Sequence, residues 1–113
     1  MKKTIWLTYD LGVGGDYANF YSWLDDNKAT ECGNNVAYLQ IDIPNANSDN
    51  DVVQTVKNSL KSKIKFEATS RVYLIRAKIE DGKTKMAGSF IIGKRKANPW
   101  EGYGTASDET IDE

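Results

Sequence analysis

The sequence predicts a single α+β domain. Its apolar residues alternate in several short segments, as in half-buried strands, and recur with helical spacing in two segments between them. An Asp81-Gly82 pair separates two alternating segments at residues 71–79 and 84–93, which is a strong signal for a tight hairpin. With 113 residues, 40% of them hydrophobic, the chain is long enough to bury one core.

The first strand is predicted over residues 4–10, where apolar residues occupy every second position. The strand ends at Asp10, and the glycine-rich segment 12–15 breaks the pattern. This segment lacks the third glycine of a dinucleotide fingerprint and the Gly-Lys-Ser/Thr of a P-loop. We therefore interpret it as a flexible connection rather than a phosphate cradle.

Two amphipathic helices are predicted between the strands. The first follows Asp16, whose carboxylate can accept hydrogen bonds from amides of the first turn. The second follows a polar loop at residues 44–51, which offers turn and cap residues. The predicted buried stripe of the first helix is Tyr17, Phe20, Tyr21 and Leu24. That of the second is Val53, Val56, Leu60 and Ile64.

A second hairpin is predicted between the helices. It joins a short strand at residues 29–32 to a longer one at residues 36–43. Gly33-Asn34 forms the turn, because both residues tolerate the positive φ that tight hairpins need. Cys32, beside this turn, is predicted to be a small buried hydrophobe.

The element order is therefore β-α-β-β-α-β with one further hairpin strand. Four such strands form an antiparallel sheet with both helices on one face, the ferredoxin-like arrangement. This domain is predicted over residues 1–98. Residues 99–113 are predicted to form an irregular aromatic segment and an acidic tail, with residues 105–113 disordered.

The sheet face opposite the helices needs a cover. A set of residues too apolar for a fully solvated surface is predicted to lie there: Trp6, Thr8, Val36, Tyr38, Val72 and Leu74. A second copy of the chain is the simplest cover, because two-fold dimers are the commonest oligomers. Trp6 and Tyr38, together with Trp100 and Tyr103, are the predicted interface residues.

Composition excludes several kinds of chemistry. The chain has no histidine, which excludes Ser-His-Asp and Cys-His nucleophiles and histidine-ligated zinc. Its single cysteine excludes an internal disulfide. No segment is apolar enough to span a membrane, and the N-terminus lacks the apolar region of a signal peptide, so a cytoplasmic location is predicted.

Basic residues are concentrated in one part of the chain. Residues 57–98 carry 12 basic and 3 acidic residues, whereas residues 99–113 carry 5 acids and no base. Such a surface can follow a phosphate backbone, although lysines on a helix often serve only solubility, and the acidic tail could neutralise them. The candidate nucleic-acid-binding residues are Lys57, Lys61, Arg71, Arg76, Lys94, Arg95 and Lys96.

A first strand ending in Leu7-Thr8-Tyr9-Asp10, a helix, a short hairpin and a lysine-rich helix together resemble a known superfamily. It comprises the small CRISPR adaptation subunit, the VapD toxins and the SinR-like proteins. The resemblance covers residues 4–93 by element order, and the segment 32–37 is similar to the SinR-like group.

The resemblance implies a role for Asp10. In the adaptation-subunit family the equivalent aspartate lies at the dimer axis, where two copies can share Mg²⁺ or Mn²⁺ and activate water for phosphodiester cleavage. The alternative is that Asp10 caps the glycine turn beside it, and a metal site would need Asp16 or Asp42 as well. Glycines at 12–15 replace the family's polar and basic turn.

The sequence thus leaves three functions open. The leading interpretation is a homodimeric binding or assembly protein without catalysis. The second is a weak metal-dependent nuclease that uses Asp10 from two protomers. The third is a regulatory partner of another protein, docking through the Trp100 segment or an exposed sheet edge. Trp100 and Tyr103 either stack on bases or, as we favour, hold their segment against the domain or a partner.

Overall fold

A computed structural model describes residues 2–43 and 48–104 of the chain. The predicted loop at 44–51 is therefore described only from Ser48, and the predicted tail at 105–113 lies outside the described residues. The α+β class is confirmed. The elements, in chain order, are β1 (Lys2–Asp10), α1 (Tyr17–Asp26), β2 (Thr30–Glu31), β3 (Val36–Asp42), α2 (Asp49–Lys63), β4 (Arg71–Glu80) and β5 (Lys83–Ile92).

The five strands form one antiparallel sheet in the order β2-β3-β1-β4-β5. In the register of the central strands, Trp6 lies opposite Tyr38 of β3 and Ile75 of β4. At the end of β1, Asp10 lies opposite Arg71, the first residue of β4. This arrangement is compatible with a ferredoxin-like type of α+β fold.

Local hydrogen bonds fix where the helices begin. Asp16 caps α1 as predicted, since its carboxylate accepts from the Asn19 N–H at 3.3 Å and the Asn19 side-chain amide at 2.9 Å. Its Oδ2 also accepts the Lys65 N–H at 3.1 Å, from the segment that follows α2. These bonds lower the pKa of Asp16. Ser48 caps α2 and accepts from the Asp51 N–H at 3.2 Å. Asp16 therefore begins its own helix and also ties it to the end of α2.

The two hairpins turn differently. Asp81 and Gly82 have φ values of 52° and 75°, the positive pair that a type I′ turn requires, so this prediction is confirmed. In the β2–β3 connection the positive values belong to Gly33 (114°) and Asn35 (60°). The predicted two-residue turn at Gly33-Asn34 is thus a longer connection.

Both helices pack on the same face of the sheet, where alternate residues of the strands are buried in one cluster with them. The most completely buried large side chains of this cluster are Ile5, Leu7, Leu11, Phe20, Leu39, Ile43, Leu60 and Leu74. The Trp23 indole joins the helices by donating to Ser59 Oγ of α2 at 2.9 Å. The helices therefore complete one core with one face of the sheet, the covered face.

Several residues that were predicted to be buried are exposed or only half-buried, and in the helices neighbouring residues are buried instead. In α1 Trp23 is buried and Tyr21 is 52% exposed, because the helix turns its Phe20–Leu24 side to the sheet. In α2 Val52 is buried, and Val53 packs only at the margin. Cys32, predicted to be buried, is exposed.

The other side of the sheet, the open face, carries no helix of the described chain. Val72 and Leu74 were predicted there, but both are fully buried on the covered face. The open face of β4 instead presents Arg71, Tyr73 and Ile75, which are half-buried. No helix within the described ranges is long and apolar enough to cross a membrane.

Candidate functional site

The open face contains a cleft at the end of β1. Its volume is about 400 Å³, and it lies where β1 ends, β3 begins and β4 begins. Polar, cationic and aromatic side chains line it together. Those that define its chemistry are Asp10, Asn34, Arg71, Tyr73, Phe90 and Arg95. We call this site the basic cleft.

The floor of the basic cleft is aromatic. Tyr73 of β4 and Phe90 of β5 lie opposite each other in register, with ring centroids 4.8 Å apart and planes at 69°. Gly88 makes room for this pair, because a Cβ at that position would collide with the Tyr73 ring and hydroxyl. The Tyr73 ring therefore lies over Gly88 and packs edge-to-face against Phe90, which gives the cleft an aromatic floor.

Two guanidinium groups lie over this floor. Cζ of Arg71 is 5.5 Å from the Phe90 centroid, and Cζ of Arg95 is 5.3 Å from Phe90 and 5.6 Å from Tyr73. All three distances are in the range of cation–π attraction. The arginines thus converge although they are 24 positions apart in the chain.

Arg71 retains unused hydrogen-bonding capacity. Its Nε is buried and has no hydrogen-bond partner within residues 2–43 and 48–104. A buried donor without an acceptor costs roughly 1–3 kcal/mol. Next to it, Ser70 is held by donating to the Leu11 carbonyl at 3.2 Å and accepting from the Glu67 N–H at 3.0 Å. Arg71 is therefore anchored at its backbone but unsatisfied at its side chain.

Asp10 contributes a carboxylate to the same cleft. Its Oδ1 accepts from the Gly12 N–H at 3.1 Å, as the capping interpretation expects, and its side chain is exposed. Gly12 has a φ of 81°, which favours glycine at this turn. None of the ion pairs among the described residues joins Asp10 to Arg71. The carboxylate therefore keeps acceptor capacity on the open side.

The structure separates the predicted nucleic-acid-binding residues into two groups. Arg71 and Arg95 line the basic cleft, and Lys94 and Lys96 line a shallow depression next to it. The other members of the set are not part of this surface. Lys57 and Lys61 lie on α2, which packs on the covered face, and Arg76 is buried beneath it.

Arg76 is fully engaged by the protein. Its Nε donates to Asp49 Oδ1 at 3.0 Å and its Nη2 to Asp49 Oδ2 at 2.6 Å, a bidentate pair. Its Nη1 donates to Ser89 Oγ at 2.8 Å and to the Leu74 carbonyl at 3.3 Å. The pair lowers the pKa of Asp49 and raises that of Arg76. We therefore leave Arg76 out of the candidate site.

A divalent cation does not fit the basic cleft of one protomer. The described residues contain no group of three or more His, Cys, Asp or Glu side chains placed to hold a metal ion. Asp16 is used as a helix cap, and Asp42 lies at the other end of the sheet, opposite Lys2. Asp10 shares its cleft with the cationic side chains of Arg71 and Arg95, and their positive charge disfavours a metal ion there.

A second depression continues the basic cleft toward the C-terminal segment. Its volume is about 460 Å³, and it shares Arg71, Phe90 and Arg95 with the cleft before reaching Trp100. The Trp100 side chain is 68% exposed and that of Tyr103 is 85% exposed. Neither side chain is therefore buried against the domain, and the predicted contact with a partner stays a prediction.

Sequence reasoning missed the aromatic floor. The signal was nevertheless present, because the Asp81-Gly82 turn pairs Glu80 with Lys83. Counting back along both strands from that pair places Tyr73 opposite Phe90. Alternation along β4 then puts Tyr73 on the same face as the candidate Arg71.

Comparison with known proteins identifies no relative of this chain. No family model matches the chain, and neither a curated protein nor a solved structure matches it significantly. Inferences about function therefore depend on the chemistry of the basic cleft.

Proposed function

We propose that the protein binds single-stranded nucleic acid on the open face of a ferredoxin-like sheet and has no catalytic activity of its own. The observation that carries this proposal is the pair of guanidinium groups, Arg71 and Arg95, over the Tyr73–Phe90 floor in an open cleft. Cations beside flat aromatic rings match a chain of phosphates and bases.

The fold supports the proposal by its strand order. β3 lies between β1 and β2, and β1 lies between β3 and β4, so each helix connects two strands with a third between them. This order supports a split β-α-β arrangement with β5 added at the β4 edge. Sheets of this kind can present aromatic side chains on the face that the helices leave open, where unstacked bases stack on them.

The energetics of stacking and charge favour a single strand over a duplex. Base–aromatic stacking contributes about 1–3 kcal/mol per base, and it requires bases that are free of a duplex. Phosphate oxygens would accept hydrogen bonds from the Arg71 and Arg95 guanidinium groups that line the cleft.

Fluorescence anisotropy with labelled single-stranded RNA and DNA tests the proposal. We expect binding that weakens as salt rises, because phosphate contacts release counterions. The double variant Arg71→Ala/Arg95→Ala should bind about tenfold more weakly or worse. Lys57→Ala/Lys61→Ala removes the same charge from α2 and should change affinity much less. Absence of binding, or equal losses in both double variants, would contradict the proposal.

We also propose that a second copy of the chain associates through the apolar part of the open face. Trp6, Tyr38 and Ile75 are neighbours there, and Tyr38 is 39% exposed. This region adjoins the basic cleft, so a dimer would bring two clefts into one assembly. Light scattering over a range of concentrations tests it, and a monomer at high concentration would rule it out.

Metal-dependent cleavage is the alternative function. It would need the Asp10 carboxylates of two protomers close together, because one basic cleft does not fit Mg²⁺ or Mn²⁺. Docking of a regulatory protein partner on the exposed Trp100 segment is the remaining alternative. Cleavage of the labelled strands with either metal, abolished in Asp10→Asn, would replace binding alone as the function.

A further inference from the structure

We infer that Asp10 makes the basic cleft selective for guanine among the bases of a single strand. This inference depends on the proposed nucleic-acid binding and adds a base preference to it. A carboxylate lies among side chains that suit a polyanion.

Asp10 is held in place at the edge of the cleft. Its Oδ1 accepts the Gly12 N–H, which leaves Oδ2 and a further lone pair of Oδ1 for a ligand. Arg71 lies across from it in register but over the Phe90 ring, and no ion pair among the described residues joins the two. Asp10 is therefore a free acceptor rather than the partner of the nearest cation.

An ionised carboxylate is negatively charged, so it repels phosphate. It can only accept hydrogen bonds, so it selects ligand groups that donate them. Guanine presents two adjacent donors on its Watson–Crick edge, N1–H and the N2 amino group, which match the two oxygens of a carboxylate. Adenine and cytosine present a single exocyclic amino group beside a ring acceptor, and uracil presents one N–H between two carbonyls. Guanine is the base whose edge fits Asp10 with both oxygens used.

The other walls of the cleft suit the same base. The guanidinium groups of Arg71 and Arg95 lie over the Tyr73 and Phe90 rings in the cleft that Asp10 lines. Bases stack on guanidinium planes as well as on aromatic rings, and purines offer more area to stack than pyrimidines. Asn34 and Asn35 line the opposite side, where amide groups can donate to the guanine O6 and N7 acceptors. The Asn35 carbonyl accepts from the Tyr9 N–H at 3.0 Å, which ties this wall to the residue before Asp10.

The experiment compares short oligouridines that carry one central substituted base. With the wild-type protein we expect the oligonucleotide with guanine to bind roughly tenfold more tightly than those with adenine, cytosine or uracil, the discrimination typical of one bidentate contact. Inosine keeps N1–H but lacks the N2 amino group, so it should lose most of this preference. All measurements are made at the same salt concentration.

The variant Asp10→Asn gives a signature that a purely structural role would not produce. Its amide replaces one acceptor by a donor, so affinity for the guanine oligonucleotide should fall. Affinity for plain oligouridine should rise, because a negative charge has been removed from a phosphate-binding site. Asp25→Asn removes an exposed carboxylate outside the basic cleft and serves as the matched control.

The outcomes separate the two proposals. If the protein binds oligonucleotides without preferring guanine, or if Asp10→Asn keeps the preference, the inference is wrong and the proposed function stands. If no oligonucleotide binds, the proposed function itself has failed. A parallel loss for all bases in Asp10→Asn would indicate that the residue only supports the turn at Gly12, which also overturns the inference.

Discussion

Arg71 and Arg76 lie five positions apart on β4 and therefore point to opposite faces of the sheet. On the covered face, Arg76 is 5% exposed and is bonded to Asp49, Ser89 and a backbone carbonyl. On the open face, Arg71 lies over Phe90 and its buried Nε has no acceptor among the described residues. The side chain of Arg76 is thus used within the fold, whereas that of Arg71 keeps a donor that the described residues do not satisfy.

The same contrast extends to the apolar residues of the two faces. Those on the covered face are packed by α1 and α2, whereas the aromatics of the open face are only half-buried. Stability should therefore depend mainly on the covered face, and binding mainly on the open face.

The largest expected effect on stability comes from a pair of neighbours on β4. Leu74 is fully buried on the covered face, so Leu74→Ala should reduce the free energy of unfolding by about 3 kcal/mol. Ile75 is half-buried on the open face, and Ile75→Ala should cost about 1 kcal/mol. Urea unfolding at a protein concentration where light scattering shows a monomer measures both. Equal costs under that condition would contradict the contrast between the two faces.

A smaller effect is expected from the Asp49–Arg76 pair as pH falls. Arg76 lowers the pKa of Asp49 in the folded protein below the value of about 3.9 for an unperturbed aspartate. The pair therefore stabilises the fold above that unfolded value, and this contribution is lost as pH falls through the folded pKa. We expect it to be about 1 kcal/mol, because the Asp49 side chain is 25% exposed.

Acid unfolding of two variants measures this contribution. Asp49→Asn should be less stable than wild type near neutral pH but should lose less stability on acidification, since the titrating partner of Arg76 is gone. Asp26→Asn removes the exposed pair with Lys63, in which Asp26 is 63% exposed, and should follow the wild-type curve closely. If Asp49→Asn has the acid sensitivity of wild type, the covered ion pair does not contribute as described.

Much of the fold follows from local sequence signals. The hairpin at Asp81-Gly82 and the cap at Asp16 depend on backbone conformation within a few residues, and both predictions are confirmed. The faces were harder to assign. Apolar residues occupy both phases of β4, and in α1 Tyr21 and Trp23 offer competing stripes. Only packing against the sheet decides which side is buried.

The residues of the site were likewise predictable only where a local sequence signal marks them. Asp10 was found because it ends a strand, and Arg71 and Arg95 because they belong to a basic region. No local pattern distinguishes Arg71 from Arg76, since the difference depends on Asp49, which is 27 positions from Arg76. Phe90 becomes a candidate only when the hairpin register is extended as far as Tyr73.

The most direct test of the central claim measures Arg71→Ala and Arg76→Ala side by side, for oligonucleotide affinity and for stability in urea. Arg71→Ala should bind about tenfold more weakly while its free energy of unfolding stays within about 1 kcal/mol of wild type. Arg76→Ala should lose about 2 kcal/mol of stability, and its folded fraction should bind as wild type does. Wild-type affinity in Arg71→Ala, or an equal loss of affinity in a folded Arg76→Ala, would contradict the assignment of binding to the open face.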